Sequence, residues 1–121
     1  MKKSELAWCG GFFEGEGHTS AGISYRVKHR SYKSRSKYHT FCRALVNQKY
    51  KDVLLRFKRY IGFGKVAGPY VSPPHCSYYV WRVSAKADVA KLFKLLKPYL
   101  SSRRKTQFRK ALKGEFKLKS T

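Results

Sequence analysis

Residues 9–18 read "CGGFFEGEGH", and the fold turns on how "EGEG" at 14–17 is understood. The chain has 28 Lys and Arg against only six acidic residues. Two of those six, Glu14 and Glu16, sit here, fenced by glycines. Upstream, Ser4 is placed to cap a helix with Glu5 in its first turn. Leu6, Cys9 and Phe13 then recur as one apolar helical stripe. Ala7, Gly11 and Gly15 recur every fourth residue as a second, small-residue stripe. Each glycine costs a helix roughly 1 kcal/mol relative to Ala, so the stripe needs a reason. Close approach of another backbone is the best one, by the geometry of small-xxx-small faces. The spacing predicts a helix over about 4–17 whose last residues are acidic, the unfavourable end of its dipole for a carboxylate.

Downstream, "TSAGISYRVKH" (19–29) and "HTFCRALVNQ" (39–48) read as strands. In the second, Cys42, Ala44 and Val46 alternate with Phe41, Arg43, Leu45 and Asn47, so the two sets take opposite faces. "KYKDVLLRFKRYIG" (49–62) carries Val53, Leu54, Phe57 and Ile61 at helical spacing, and Gly62 can end it. "FGKVAGPYVSPPHCSYYVWRVS" (63–84) reads as a hairpin with a Pro-Pro turn. Tyr79, Trp81 and Val83 share one face of its second strand, with Tyr78, Val80 and Arg82 on the other. "AKADVAKLFKLLKPYL" (85–100) is an amphipathic helix that Pro98 ends or kinks, and a basic helix comes next, over about 103–118. The expected class is α+β, in the order αββαββα with a trailing helix, as a single domain over 1–121.

Hydrophobic residues make up 42% of the chain and aromatics 16%, which argues for a packed fold rather than a basic tail. A net charge of +22 calls for a polyanionic partner, and nucleic acid is the usual one. No apolar run reaches transmembrane length. "MKKSELAW" imitates the charged head of a signal peptide, but acidic and glycine residues interrupt the apolar run it would need. Cys9, Cys42 and Cys76 are an odd number at wide spacing, which suggests neither a disulfide framework nor a zinc site. An intracellular location without a membrane partner is expected.

The stretch "CGGFFEGEG" resembles the signature of the LAGLIDADG homing endonucleases, matched in order by Cys9, Gly10, Gly11, Phe12, Phe13, Glu14, Gly15, Glu16 and Gly17. Glu stands twice where the motif has Asp. "VNQKYKDVLLRFKRYIGFGKV" and "YYVWRVSAKADVAKLFKLLKPYL" look like the family's later blocks, so the resemblance covers nearly the whole chain. It implies an antiparallel DNA-binding sheet backed by helices. With one motif present, it also implies a two-fold homodimer packed through the motif helices, with Ala7, Gly11, Gly15 and Glu14 at the interface. The implied activity is site-specific cleavage of both strands of DNA at a long near-palindrome, leaving 3′ overhangs. Mg²⁺ is the implied ion, with Mn²⁺ as a substitute and Ca²⁺ supporting binding without cleavage. Such proteins are commonly encoded in introns of organellar (chloroplast or mitochondrial), bacterial or viral genomes.

By the same resemblance Glu16 and the Gly15 carbonyl hold the metal, Gln48 supports the water or metal shell, and Arg103 reaches the scissile phosphate. Arg103 stands where the family often has Lys, and a permanently charged guanidinium is a poor proton acceptor. Glu14 also reads as a surface or capping carboxylate, and Gln48 as an ordinary strand-end polar residue. For target reading, Arg26, Lys28, Arg43, Asn47 and Arg82 are the candidates, since Arg pairs with guanine and Asn with adenine. Lys33, Arg35 and Lys37 are assigned to phosphates. Two rival classes remain: a non-cleaving binder such as an intron RNA maturase, and a small structural RNA-binding protein. The second leaves the glycine-lined acidic helix without a purpose.

Overall fold

The computed structural model describes residues 2–25, 38–71 and 77–113; the side chains of 23–25 and 38–40 are outside that description. The first helix, α1, runs Lys3–Glu16 and passes directly into β1, Gly17–Tyr25. Then come β2 (Tyr38–Gln48), α2 (Lys51–Ile61), β3 (Lys65–Tyr70), β4 (Tyr78–Val83) and α3 (Lys86–Leu96). A 3-10 turn, Lys97–Tyr99, leads into α4, Ser102–Lys113. The expected α+β order is therefore present.

Several boundaries differ from the sequence expectation, for physical reasons. Ser4 does not cap α1. The cap position belongs to Lys2, whose backbone N–H donates to the Glu5 carboxylate at 3.4 Å, so the helix already begins at Lys3. α1 stops at Glu16 rather than 17 because Gly17 is already extended and pairs with Val46. α3 ends at Leu96, and Pro98 falls inside the 3-10 turn rather than in the helix. α4 starts at Ser102, and its expected end near 118 lies outside the described residues, as does the Pro-Pro turn. Gly62 ends α2 as expected: at φ 91° it takes the left-handed conformation and its N–H returns to the Lys58 carbonyl at 2.7 Å.

The four strands form one antiparallel sheet in the order β1-β2-β4-β3. Directly paired residues share a face, so the register fixes which side chains go where. Ala44, Val46, Trp81 and Val83 are buried beneath the helices, with Cys9, Phe13, Leu54, Phe57, Val89, Leu92, Leu96 and Phe108 packed on them. Aromatic rings tie the layers together. Phe57 of α2 meets Trp81 edge-on at 4.8 Å, and Phe108 of α4 lies 5.3 Å from Phe13 of α1. Trp81 keeps its one polar atom satisfied by donating Nε1–H to the Phe63 carbonyl at 3.0 Å. The four helices thus cover one face of the sheet. The other face holds Arg43, Leu45, Asn47, Val80 and Arg82, as the alternation predicts.

Candidate functional site

The uncovered face of the sheet forms a groove of about 750 Å³. Register builds it in rows. His18, Leu45, Arg82 and Lys65 lie side by side across all four strands, and Asn47, Val80 and Ala67 form the next row. Tyr70 and Tyr78 close the far side, their rings 5.6 Å apart, after an irregularity in β3 between Ala67 and Tyr70 resets the pairing. The groove gathers the cations Arg43, Lys58, Lys65 and Arg82, and among the described residues Glu16 is its sole carboxylate. Arg82 and Lys65 are directly opposed like charges, an arrangement that costs roughly 0.2–1 kcal/mol in an isolated sheet. A polyanion lying in the groove removes that repulsion.

Glu16 reaches this groove because it is the last residue of α1, which delivers it to the rim where β1 begins. It is exposed, and among the described residues it has no ion-pair or hydrogen-bond partner. Glu14, two residues earlier, is fully engaged. Ser101 donates both its backbone N–H and its hydroxyl to the Glu14 carboxylate, the hydroxyl at 3.0 Å. Arg104 and Arg103 add ion pairs at 3.7 and 3.8 Å. Partial burial opposes ionisation of Glu14, but the two Ser101 hydrogen bonds and the two guanidinium groups outweigh it and hold the carboxyl below its usual range. Within this chain, the plainer reading of Glu14 describes its place: it ties α1 to the start of α4.

Arg104 completes that junction, and nothing in the sequence marks it out. Its side chain is only 12% exposed; Nε donates to the Glu14 backbone carbonyl at 3.0 Å and Nη1 to the Gln107 side chain at 3.0 Å. A guanidinium on the C-terminal carbonyls of α1 offsets the helix dipole where no cation of α1 itself does so. Ser101 in turn caps α4, its hydroxyl accepting from the Arg104 N–H at 3.2 Å. Arg103, one residue away, is 67% exposed, and its guanidinium still reaches the Glu14 carboxylate at 3.8 Å.

The glycines of α1 divide by what surrounds each of them. A β-carbon at Gly10 would collide with Tyr99 of the 3-10 turn, so that glycine serves packing within the chain. Gly11 and Gly15 have open space where a β-carbon would stand, and with Ala7 they are exposed.

Among the expected site residues, the groove brings together Glu16, Arg43, Asn47 and Arg82. Gln48 lies at the end of β2 opposite Tyr79, with the parity of the helix-covered face, and does not line the groove. Arg103 does not line it either. Arg26, Lys28, Lys33, Arg35 and Lys37 fall outside the described residues. His18, Lys65, Tyr70 and Tyr78 line the groove in addition to the target-reading candidates. Alternation carried from Arg82 across the hairpin does not locate Lys65, because the irregularity in β3 between Ala67 and Tyr70 shifts the parity before that residue is reached. Among the described residues no three His, Cys, Asp or Glu side chains cluster as a metal site, and no helix is long and apolar enough to cross a membrane. Cys9 and Cys42 are buried free thiols, each raised in pKa chiefly by burial, Cys9 to about 11.

No family model matches the chain, and no curated protein does. Solved structures do. One is the homing endonuclease I-CvuI in complex with its target in the presence of 2 mM Ca, with a TM-score of 0.71 and 21% identity over 91% of this chain and 64% of that one. Another is the homing endonuclease I-TnaI, with a TM-score of 0.66 and 22% identity over 89% of this chain and 69% of that one. A third is the LAGLIDADG meganuclease I-CpaMI bound to uncleaved DNA, with a TM-score of 0.65 and 18% identity over 90% of this chain and 35% of that one. The chain thus spans a little under two thirds of the length of I-CvuI. It has the fold of the LAGLIDADG homing endonucleases.

Proposed function

We propose, with that fold as premise, that the chain is a divalent-metal-dependent endonuclease acting on both strands of a long, near-palindromic DNA site. The observation that carries the reading is the groove, which sets Glu16, a carboxylate with no partner among the described residues, at the rim of a cationic sheet face. Several solved structures of this fold hold DNA, including the I-CvuI and I-CpaMI complexes. A two-stranded ribbon fits the major groove, so Arg43 and Asn47 on β2 and Arg82 on β4 are the base-reading candidates, and Lys65 and Lys58 neutralise phosphates.

The donor set at the end of α1 suits a hard cation. The Phe13 carbonyl accepts from the Gly17 N–H and the Glu14 carbonyl from Arg104, whereas Gly15 and Glu16 have no such partners among the described residues. A carbonyl and one carboxylate do not make a complete set. A second copy, packed through the exposed Ala7–Gly11–Gly15 stripe, would bring its own Glu16 to the same axis. When bound, Mg²⁺ lowers the pKa of a water and polarises a phosphate oxygen. The exposed Arg103 stabilises charge on the phosphate, and Gln48 orients water near the end of β2. Staggered cuts with 3′ overhangs are the outcome of one carboxylate site facing each strand across the minor groove.

The test is cleavage of a randomised-site duplex library with Mg²⁺ and with Ca²⁺. Cutting with Mg²⁺ alone at an enriched near-palindrome is expected. Tight duplex binding with no cutting in either ion, or in Mn²⁺, would make the chain a binder on a nuclease scaffold.

A further inference from the structure

At the β1–β2 end of the groove face, three residues form a stack. Gly22 of β1 lies opposite Phe41 of β2 in the strand register. A β-carbon at position 22 would stand 2.9 Å from Cζ of Phe41 and 3.0 Å from its Cε1, so the Cζ–Cε1 edge of the ring occupies the space that a side chain at 22 would need. Two residues along the same face, Arg43 sets its guanidinium carbon 4.4 Å from the centroid of that ring. Arg43 also lines the groove and has no carboxylate partner among the described residues. The residue directly opposite it is the small Ser20.

The order backbone, ring, guanidinium has a chemical consequence. A guanidinium donates only in its own plane. With one face held on an aromatic ring, its N–H edge stays free, and much of the freedom of a long side chain is already lost before binding. An edge of that kind matches the O6 and N7 acceptors of guanine in the major groove, and no other base offers two acceptors there. An unsupported Arg would spend the same charge on any nearby phosphate.

We propose that Gly22 and Phe41 are positioning residues that hold Arg43 as the reader of one guanine in each half-site. Phe41 then sets base preference through Arg43, and glycine is required at 22 because the edge of the ring fills the space a side chain there would take. The inference rests on the groove being a DNA-binding surface, and the experiment separates the two.

Sequences bound by the protein are selected from a randomised duplex pool, and guanine preference at each position is measured by competition. Arg43→Ala should erase the preference at one position per half-site. Phe41→Leu should weaken that same preference about 2- to 5-fold, the scale of a partly exposed cation–π contact, while affinity for random-sequence duplex stays unchanged. Phe41→Tyr should restore it, and Gly22→Val, which displaces the ring without touching Arg43, should reproduce the loss. In an Arg43→Ala background, Phe41→Leu should change nothing further. Intact duplex binding with guanine preference unaltered by Phe41→Leu and Gly22→Val overturns this inference alone. So does an equal effect of Phe41→Leu with and without Arg43. Absence of duplex binding by the wild-type chain overturns the DNA-binding reading and this inference with it.

Discussion

Replacing Glu14 by Ala removes the joint between α1 and α4, and its cost can be worked from the contacts. Two hydrogen bonds from Ser101 end on a charged acceptor, each worth roughly 1.5–3 kcal/mol when well shielded. The side chain is 29% exposed, so solvent screening puts each at the low end. The ion pairs to Arg103 and Arg104, at 3.8 and 3.7 Å, add a few tenths apiece. Water re-solvates part of what is exposed, leaving a net loss of about 2–3 kcal/mol. With an m-value of about 1.5 kcal/mol/M, the urea midpoint falls by roughly 1.5 M at fixed protein concentration and unchanged slope. The pH dependence gives a second handle. A carboxyl whose folded pKa is depressed stabilises fully above its unfolded pKa, about 4.3 for Glu, and loses that stabilisation as pH falls through the folded value. The gap between wild type and Glu14→Ala should be flat from about pH 7 to pH 5 and close below about pH 4.3. A gap under about 0.5 kcal/mol at neutral pH, or one that widens in acid, refutes the assignment of Glu14 to this joint.

Two further outcomes come from packing. Gly11→Leu meets no neighbour within the chain, so secondary structure by circular dichroism should be unchanged, while sedimentation should show the proposed dimer in wild type and its loss in the variant; a dimer that persists in the variant places the interface elsewhere. Cys9, buried with its pKa raised to about 11 by burial and then by Glu5, should resist iodoacetamide in the native protein at neutral pH, as read by mass spectrometry. Alkylation at the rate of the denatured chain would contradict its place in the core.

Alternation alone makes the sheet legible. Ala44 and Val46 are buried and Arg43 and Asn47 are not, because a strand with one covered face has no other way to satisfy that pattern. The end of α1 is legible for a related reason, since glycines and acids at a helix C-terminus need an outside explanation. The α1–α4 joint is not. Glu14 and Ser101 are 87 positions apart, and in the run "RRK" nothing distinguishes a 12% exposed Arg104 from a 67% exposed Arg103. Only the phase of α4 against α1 separates them. The stripe of small residues is visible, but not that Gly10 belongs to Tyr99 while Gly11 and Gly15 stay open. Lys65 and Tyr70 are hard to place from sequence because the irregularity in β3 breaks the simple alternation that reveals β2.

The central claim is that Glu16 serves chemistry rather than folding, and one measurement reaches it directly. Glu16→Gln and wild-type protein are compared for cleavage and for affinity on the same duplex, in Mg²⁺ and in Ca²⁺. Because Glu16 makes no hydrogen bond or ion pair among the described residues, the variant should fold as before and bind at least as tightly, with a repulsive charge removed from the groove. Its cleavage should fall below detection. Cleavage within about tenfold of wild type, a barrier change of only about 1.4 kcal/mol, would contradict the account and move the metal to other residues.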